Sequence, residues 1–131
     1  MIPPFNEHGY LPPGIHKATI EEVAERFGWQ SQMRRDEMES LRWLIALLKE
    51  IHVQRVILNG SFVTAEAEPN DVDCVLLADP DRDYSEEEEL LEGLPFLEID
   101  LVDRGDFDRL VEEFFATDRY QDPKGMIEVI L

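Results

Sequence analysis

Asp71 and Asp73 stand two residues apart at the start of an apolar run, Val72-Asp73-Cys74-Val75-Leu76-Leu77, that reads as a β-strand. Residues two apart in a strand point to the same face, so the two carboxylates lie side by side. Like charges that close repel unless a positive charge sits between them, and a divalent cation is the economical answer. Upstream, Gly60-Ser61 follows another apolar run, Arg55-Val56-Ile57-Leu58-Asn59. Gly60 lets the backbone approach a ligand closely, and the N–H groups of the turn, with the Ser61 hydroxyl, can cradle phosphates. A third strand segment, Phe96–Val102, carries Glu98 and Asp100 on one face and Leu97, Ile99 and Leu101 on the other. If it pairs beside the Asp71–Asp73 strand, Asp100 completes a cluster with them. Mg²⁺ takes oxygen ligands and keeps its remaining positions for water or substrate phosphates. Asp71, Asp73 and Asp100 are therefore candidate ligands for a two-metal site. Such a site could polarise a phosphoryl oxygen, assist deprotonation of a nucleophile and stabilise departing pyrophosphate.

The elements around these residues follow from pattern. Pro3-Pro4, Gly9, Pro12-Pro13 and Gly14 exclude regular helix over residues 1–16, which read as an extended arm anchored by Phe5, Tyr10, Leu11 and Ile15. Thr19-x-x-Glu22 is a capping box opening a helix that Gly28 ends. Met38, Leu41, Leu44, Ile45, Leu48 and Ile51 recur at helical steps and predict a long helix from about Met33 to His52, with Trp43 and Leu47 packed beside the stripe. Strands are predicted at Val56–Asn59, Val72–Ala78, Phe96–Val102 and Met126–Leu131. Ser85-x-x-Glu88 predicts a short acidic helix through about Leu91, and Asp106 is the expected cap of a helix bearing Phe107, Leu110, Val111, Phe114 and Phe115. The acidic run Glu86–Glu89 reads as a solvated helix face, since consecutive residues radiate in different directions. These elements predict one domain spanning residues 1–131, of α/β (α+β) class, with a small mixed sheet covered by helices.

Composition narrows the function classes. Twelve Lys and Arg against 30 Asp and Glu give a net charge of −18. That opposes a free-standing nucleic-acid binder, which needs clustered cations on phosphates; it favours bound cations or a basic partner protein. Cys74 is the sole cysteine, which leaves no intrachain disulfide and no cysteine zinc cluster, and it reads as a buried thiol. His8, His16 and His52 show no zinc spacing. No apolar stretch approaches the roughly 20 residues a membrane helix needs, and Met1–His8 lacks the features of a signal peptide. The expected location is cytoplasmic.

Gly60-Ser61 after a strand, Asp71-x-Asp73 across a loop and a later strand Asp100 together resemble the nucleotidyltransferase superfamily of DNA polymerase β. In size the chain is similar to the minimal bacterial nucleotidyltransferases. The arm Phe5-Asn6-Glu7-His8-Gly9-Tyr10-Leu11-Pro12-Pro13-Gly14 also resembles an uncharacterised bacterial group assigned to that superfamily. The resemblance implies a polymerase-β-type fold in which Gly60 and Ser61 hold nucleotide phosphates and Asp71 and Asp73 bind both Mg²⁺ ions. Asp100 would help to activate the attacking hydroxyl. The implied reaction transfers a nucleoside monophosphate from a nucleoside triphosphate to a protein or RNA acceptor, with no role for DNA or membrane. Minimal members commonly sit in toxin–antitoxin or defence pairs. The chain departs from the pattern where Phe62-Val63-Thr64-Ala65 follow Gly-Ser without a basic residue; Arg55, Arg104 and Lys49 are the nearby candidates for neutralising a triphosphate. The alternative expectation is a catalytically inactive antitoxin or scaffold of the same fold, binding a basic partner.

Overall fold

The computed structural model describes residues 1–131, apart from the Phe114 side chain. Its centre is a mixed five-stranded sheet built from β1 (Ile15–Ala18), β2 (Arg55–Asn59), β3 (Val72–Leu77), β4 (Leu97–Val102) and β5 (Met126–Val129). The strand order is β1-β5-β2-β3-β4. The outer pairs, β1 with β5 and β3 with β4, are parallel, while β2 runs antiparallel to both of its neighbours. The chain is thus α/β (α+β) with a small mixed sheet covered by helices, as its patterning implied.

Alternation sorts the strand side chains between two cores. Val56, Leu58, Val72, Cys74, Leu76, Ile127 and Val129 face one side and pack with α1 (Ile20–Phe27) and α2 (Gln32–Ile51). Ile57, Val75, Leu77 and Met126 face the other side and meet Phe107 and Val111. Phe107 belongs to α4 (Arg104–Arg109), which continues into a wider π turn over Leu110–Phe114. This cover is small. Beyond the Phe107–Val111 cluster, Asp73 is only half-buried and Glu98 is exposed.

The helix ends show which local signals dominate. Thr19 forms both halves of its capping box with Glu22. Ser31 caps α2 by accepting from the Arg34 N–H. The predicted box at Ser85 does not form: Asp83 accepts from the Ser85 N–H, the Glu87 and Glu88 amides bond to the Tyr84 carbonyl, and α3 spans Glu88–Glu92. Asp103 rather than Asp106 caps α4, its carboxylate accepting from the Asp106 N–H. At Ser85 the Asx-type bond to Asp83 takes the amide that the box needs, whereas α4 begins three residues earlier than its pattern suggested, so that Asp103 is the cap. The arm is also shorter than expected, because Ile15–Ala18 add to the sheet beside β5. Trp43 packs less than its position suggested and is 57% exposed.

Residues before β1 are tied to the domain at each step. Phe5 stacks at a tilt on Phe27 and lies under the Arg26 guanidinium. Asn6 closes a turn by accepting from the His8 and Tyr10 amides. Gly9, at φ +76°, offers its carbonyl to the Ala65 N–H. Tyr10 donates to Asp118 at 2.8 Å, and the Leu11 carbonyl accepts from the Gly125 N–H. The arm therefore ties the loop after Gly60 to the segment before β5. No helix among the described residues is long and apolar enough to cross a membrane.

Candidate metal and phosphate site

The site lies where β2 ends and β3 begins. Antiparallel pairing places Asn59 directly across from Asp73, and parallel pairing places Asp73 beside Glu98. Asp71, Asp73 and Glu98 each offer a carboxylate oxygen, and these oxygens lie within 4.8 Å of one another. They could hold a metal ion. The register also shows why Asp100 is not in this group: it pairs with Val75, a two-residue step further along β4. The third carboxylate beside the Asp-x-Asp pair is Glu98.

The electrostatics match a cluster short of positive charge. Burial, followed by the neighbouring Asp71 and Glu98 carboxylates, pushes Asp73 up to about 7. Burial and Glu98 raise Asp71 as well. Lys124 opposes this rise only weakly. A bound divalent ion would reverse this balance and keep both aspartates ionised, since nearby positive charge favours carboxylate. The hard oxygen donors suit Mg²⁺ or Mn²⁺ better than softer ions.

Gly60 has a specific steric role. Its φ is +78°, and a Cβ built there would overlap the Asp73 carboxylate. The turn that follows, Ser61–Val63, is a single 3₁₀ turn closed by the Val63 N–H on the Gly60 carbonyl and the Thr64 N–H on the Ser61 carbonyl. Phe62 and Val63 are buried, so the apolar residues that follow Gly-Ser in place of basic ones anchor the loop from below. Phe62 meets Phe27 in the core.

Arg34 holds this loop. It is almost wholly buried, and its guanidinium donates to the carbonyls of Phe27, Phe62, Thr64 and Glu66 at 2.6–3.0 Å. One turn along α2, Glu37 is fully buried and neither carboxylate oxygen has a hydrogen-bond partner among the described residues. Burial pushes Glu37 up to about 7 against the pull of Arg34, and Asp71 raises it further. Asn59 is equally enclosed, and its Oδ1 is unpartnered among the described residues, directly opposite Asp73.

The basic residues named from sequence proximity lie elsewhere. Arg55 starts β2 opposite Leu77, at the far end of the sheet, and pairs with Glu128 at 2.5 Å. Arg104 lines a cleft with Gln54, Leu77 and Pro80, and Lys49 lines a groove on α2 with Ile20 and Arg42. Lys124 takes their place near the cluster. It precedes β5, whose pairing with β2 brings the segment to the Asn59 end of the sheet. Sequence spacing holds no sign of this, because Lys124 lies 51 positions after Asp73. Arg34 and Glu37 were also missed, because they lie in the charged stretch Arg34-Arg35-Asp36-Glu37, which reads as a solvated start to the helix; Asn59 was missed because it closes an apolar run as an ordinary turn residue.

Residues 3–130 match a family of unknown function, DUF6932. The chain belongs to that family. No curated protein and no solved structure matches the chain. For this DUF6932 member the site's own geometry carries the functional argument.

Proposed function

We propose that this DUF6932 chain is a Mg²⁺-dependent nucleotidyltransferase that moves a nucleoside monophosphate from a nucleoside triphosphate to a protein or RNA hydroxyl, releasing pyrophosphate. The observation that carries the reading is the convergence of Asp71, Asp73 and Glu98 beside the Gly60–Ser61 turn. Asp71, Asp73 and Glu98 would hold the metal, which would supply charge neutralisation at the reacting phosphorus and lower the pKa of a coordinated hydroxyl. The Ser61 hydroxyl and the Ser61 and Phe62 amides, which the turn's own bonds through Val63 and Thr64 leave out, would receive the triphosphate oxygens. Lys124, already acting on Asp73, supplies the cation that the loop itself lacks. Glu98, exposed on β4, stands where an acceptor hydroxyl could give up its proton as the new phosphoester bond forms and the bond to pyrophosphate breaks. Asp100, further along β4, keeps no direct part in this arrangement.

Incubation with α-labelled nucleoside triphosphates, Mg²⁺ and extract of the native host should transfer label to an acceptor, and Asp73→Asn should abolish it. Absence of label with all four nucleotides, or label unchanged in Asp73→Asn, would defeat the proposal. The charge balance supports a second reading, a silent scaffold of the same fold that binds a basic partner. In that case a stable partner co-purifies and Asp73→Asn leaves the complex intact.

A further inference from the structure

We propose that the open edge of β4 is a docking site for an extended, basic segment of a partner protein, which adds to the sheet as a sixth strand. This inference does not rest on the nucleotidyltransfer reading, although Glu98, assigned there to the metal, also borders this edge. Asp100 and the outward backbone of Leu97, Ile99 and Leu101 carry it. β4 is a terminal strand, with only β3 beside it. The Val72 N–H bonds to the Phe96 carbonyl and the Ala78 N–H to the Val102 carbonyl. Even-numbered residues of β4 therefore turn their backbone groups toward β3, and those of Leu97, Ile99 and Leu101 point outward. None of the turn, loop or cap hydrogen bonds among the described residues reaches these outward groups.

Sheet edges are ordinarily blunted by short length, charged side chains (lysine above all), proline or bulges. On β4 the charges are the acidic Glu98 and Asp100, which repel an acidic strand and attract a basic one. The opposite edge follows that rule: β1 has four residues, includes Lys17 and follows Pro12-Pro13-Gly14. β4 has six residues, with neither lysine nor proline. Alongside it runs a groove of about 490 Å³ between α3 and the strand, with Leu91, Leu97, Ile99 and Leu101 in its lining and Glu88 and Glu92 among its acids. The opposite face of the same strand presents Glu98 and Asp100, both exposed.

The chemistry of the occupant follows from this alternation. An added strand places every second side chain beside Leu97, Ile99 and Leu101, where apolar groups fit. Its intervening side chains come beside Glu98 and Asp100, where Lys or Arg fits, since opposite charges in cross-strand positions attract. Strand addition draws affinity from backbone bonds and specificity from alternate side chains. A second copy of the chain fails the same test. Pairing β4 with β4 would bring Glu98 and Asp100 against each other's counterparts, and each copy carries a net charge of −18.

The test uses the full chain and a nine-residue peptide alternating lysine and valine. Fluorescence anisotropy should show saturable binding, with amide exchange slowed at Leu97, Ile99 and Leu101. A glutamate–valine peptide should not bind, and N-methylation of the lysine–valine peptide along one edge should remove binding. Asp100→Lys should weaken the lysine–valine peptide about tenfold, while Asp73→Asn should bind it as wild type does. Equal affinity for the N-methylated peptide, protection elsewhere than β4, or a β4-paired homodimer in solution would overturn the proposal.

Discussion

The Asp73 carboxylate occupies the space in which a side chain at position 60 would begin. Gly60 and Asp73 are thus one structural unit: a strand terminus without a Cβ lets the second carboxylate of the Asp-x-Asp pair fold back over the turn. Gly60 lies at φ +78°, ψ −162°, a region essentially confined to glycine, so Gly60→Ala should cost about 1–3 kcal/mol from the backbone alone and displace Asp73 as well. Thermal unfolding and Mn²⁺ titration measure the two effects. A variant with wild-type metal affinity would show that this contact does not shape the site.

From a buried position Arg34 bonds to three carbonyls of the loop, those of Phe62, Thr64 and Glu66, and to the Phe27 carbonyl at the end of α1. Arg34→Met should destabilise the domain by about 3–5 kcal/mol, because buried Glu37 then loses its favourable charge and the carbonyls lose their donors. Arg34→Lys should recover only part of this, since an ammonium cannot span the same fan of acceptors. Urea unfolding of both variants gives the comparison. Equal stability of Lys and wild type would refute the multidentate role.

Glu37 sets a pH dependence whose sign is fixed by its raised pKa. Its carboxyl ordinarily titrates near 4.5 and in the fold near 7. The folded state therefore holds a proton that the unfolded state has lost. The associated stability is complete below 4.5 and disappears as pH rises through about 7. In metal-free buffer Asp73 adds a change of the same sign, from its ordinary 3.8 to about 7. The melting temperature should fall between pH 5 and 7.5, and Glu37→Gln should flatten that fall by roughly half if the two groups weigh equally. A variant with the wild-type slope would remove Glu37 from the explanation.

Lys124 weakly opposes the raised pKa of Asp73, and under the proposed function its ammonium would meet the triphosphate. Lys124→Gln should raise KM for the nucleoside triphosphate about tenfold with a smaller change in kcat, the pattern expected when binding rather than the chemical step is weakened. Steady-state kinetics across triphosphate concentrations resolve the two constants. An unchanged KM would leave the phosphates to the turn amides alone.

Much of this arrangement was legible in the residues. The apolar runs in Arg55–Asn59 and Val72–Leu77 mark the strands, and the apolar recurrence from Met38 to Ile51 marks the long helix. The Asp71–Asp73 pair and the Gly60 turn stand out because their chemistry is local. Register is not local. Glu98 and Asp100 share a face, and only the pairing of Asp73 with Glu98 shows which one joins the cluster. Lys124 reaches the site through the pairing of β5 with β2, which no spacing in the chain announces. Arg34 and Glu37 lie in a charged stretch of the chain, and their burial emerges only when the loop after Gly60 packs over them.

The most direct test of the site is calorimetric titration of Mn²⁺ into wild type, Glu98→Gln and Asp100→Asn, with folding verified by circular dichroism. Wild type and Asp100→Asn should bind with similar affinity, and Glu98→Gln should bind at least about tenfold more weakly. Wild-type binding in Glu98→Gln together with loss in Asp100→Asn, or no binding by the wild-type chain, would contradict the assignment of Asp71, Asp73 and Glu98 as the metal centre.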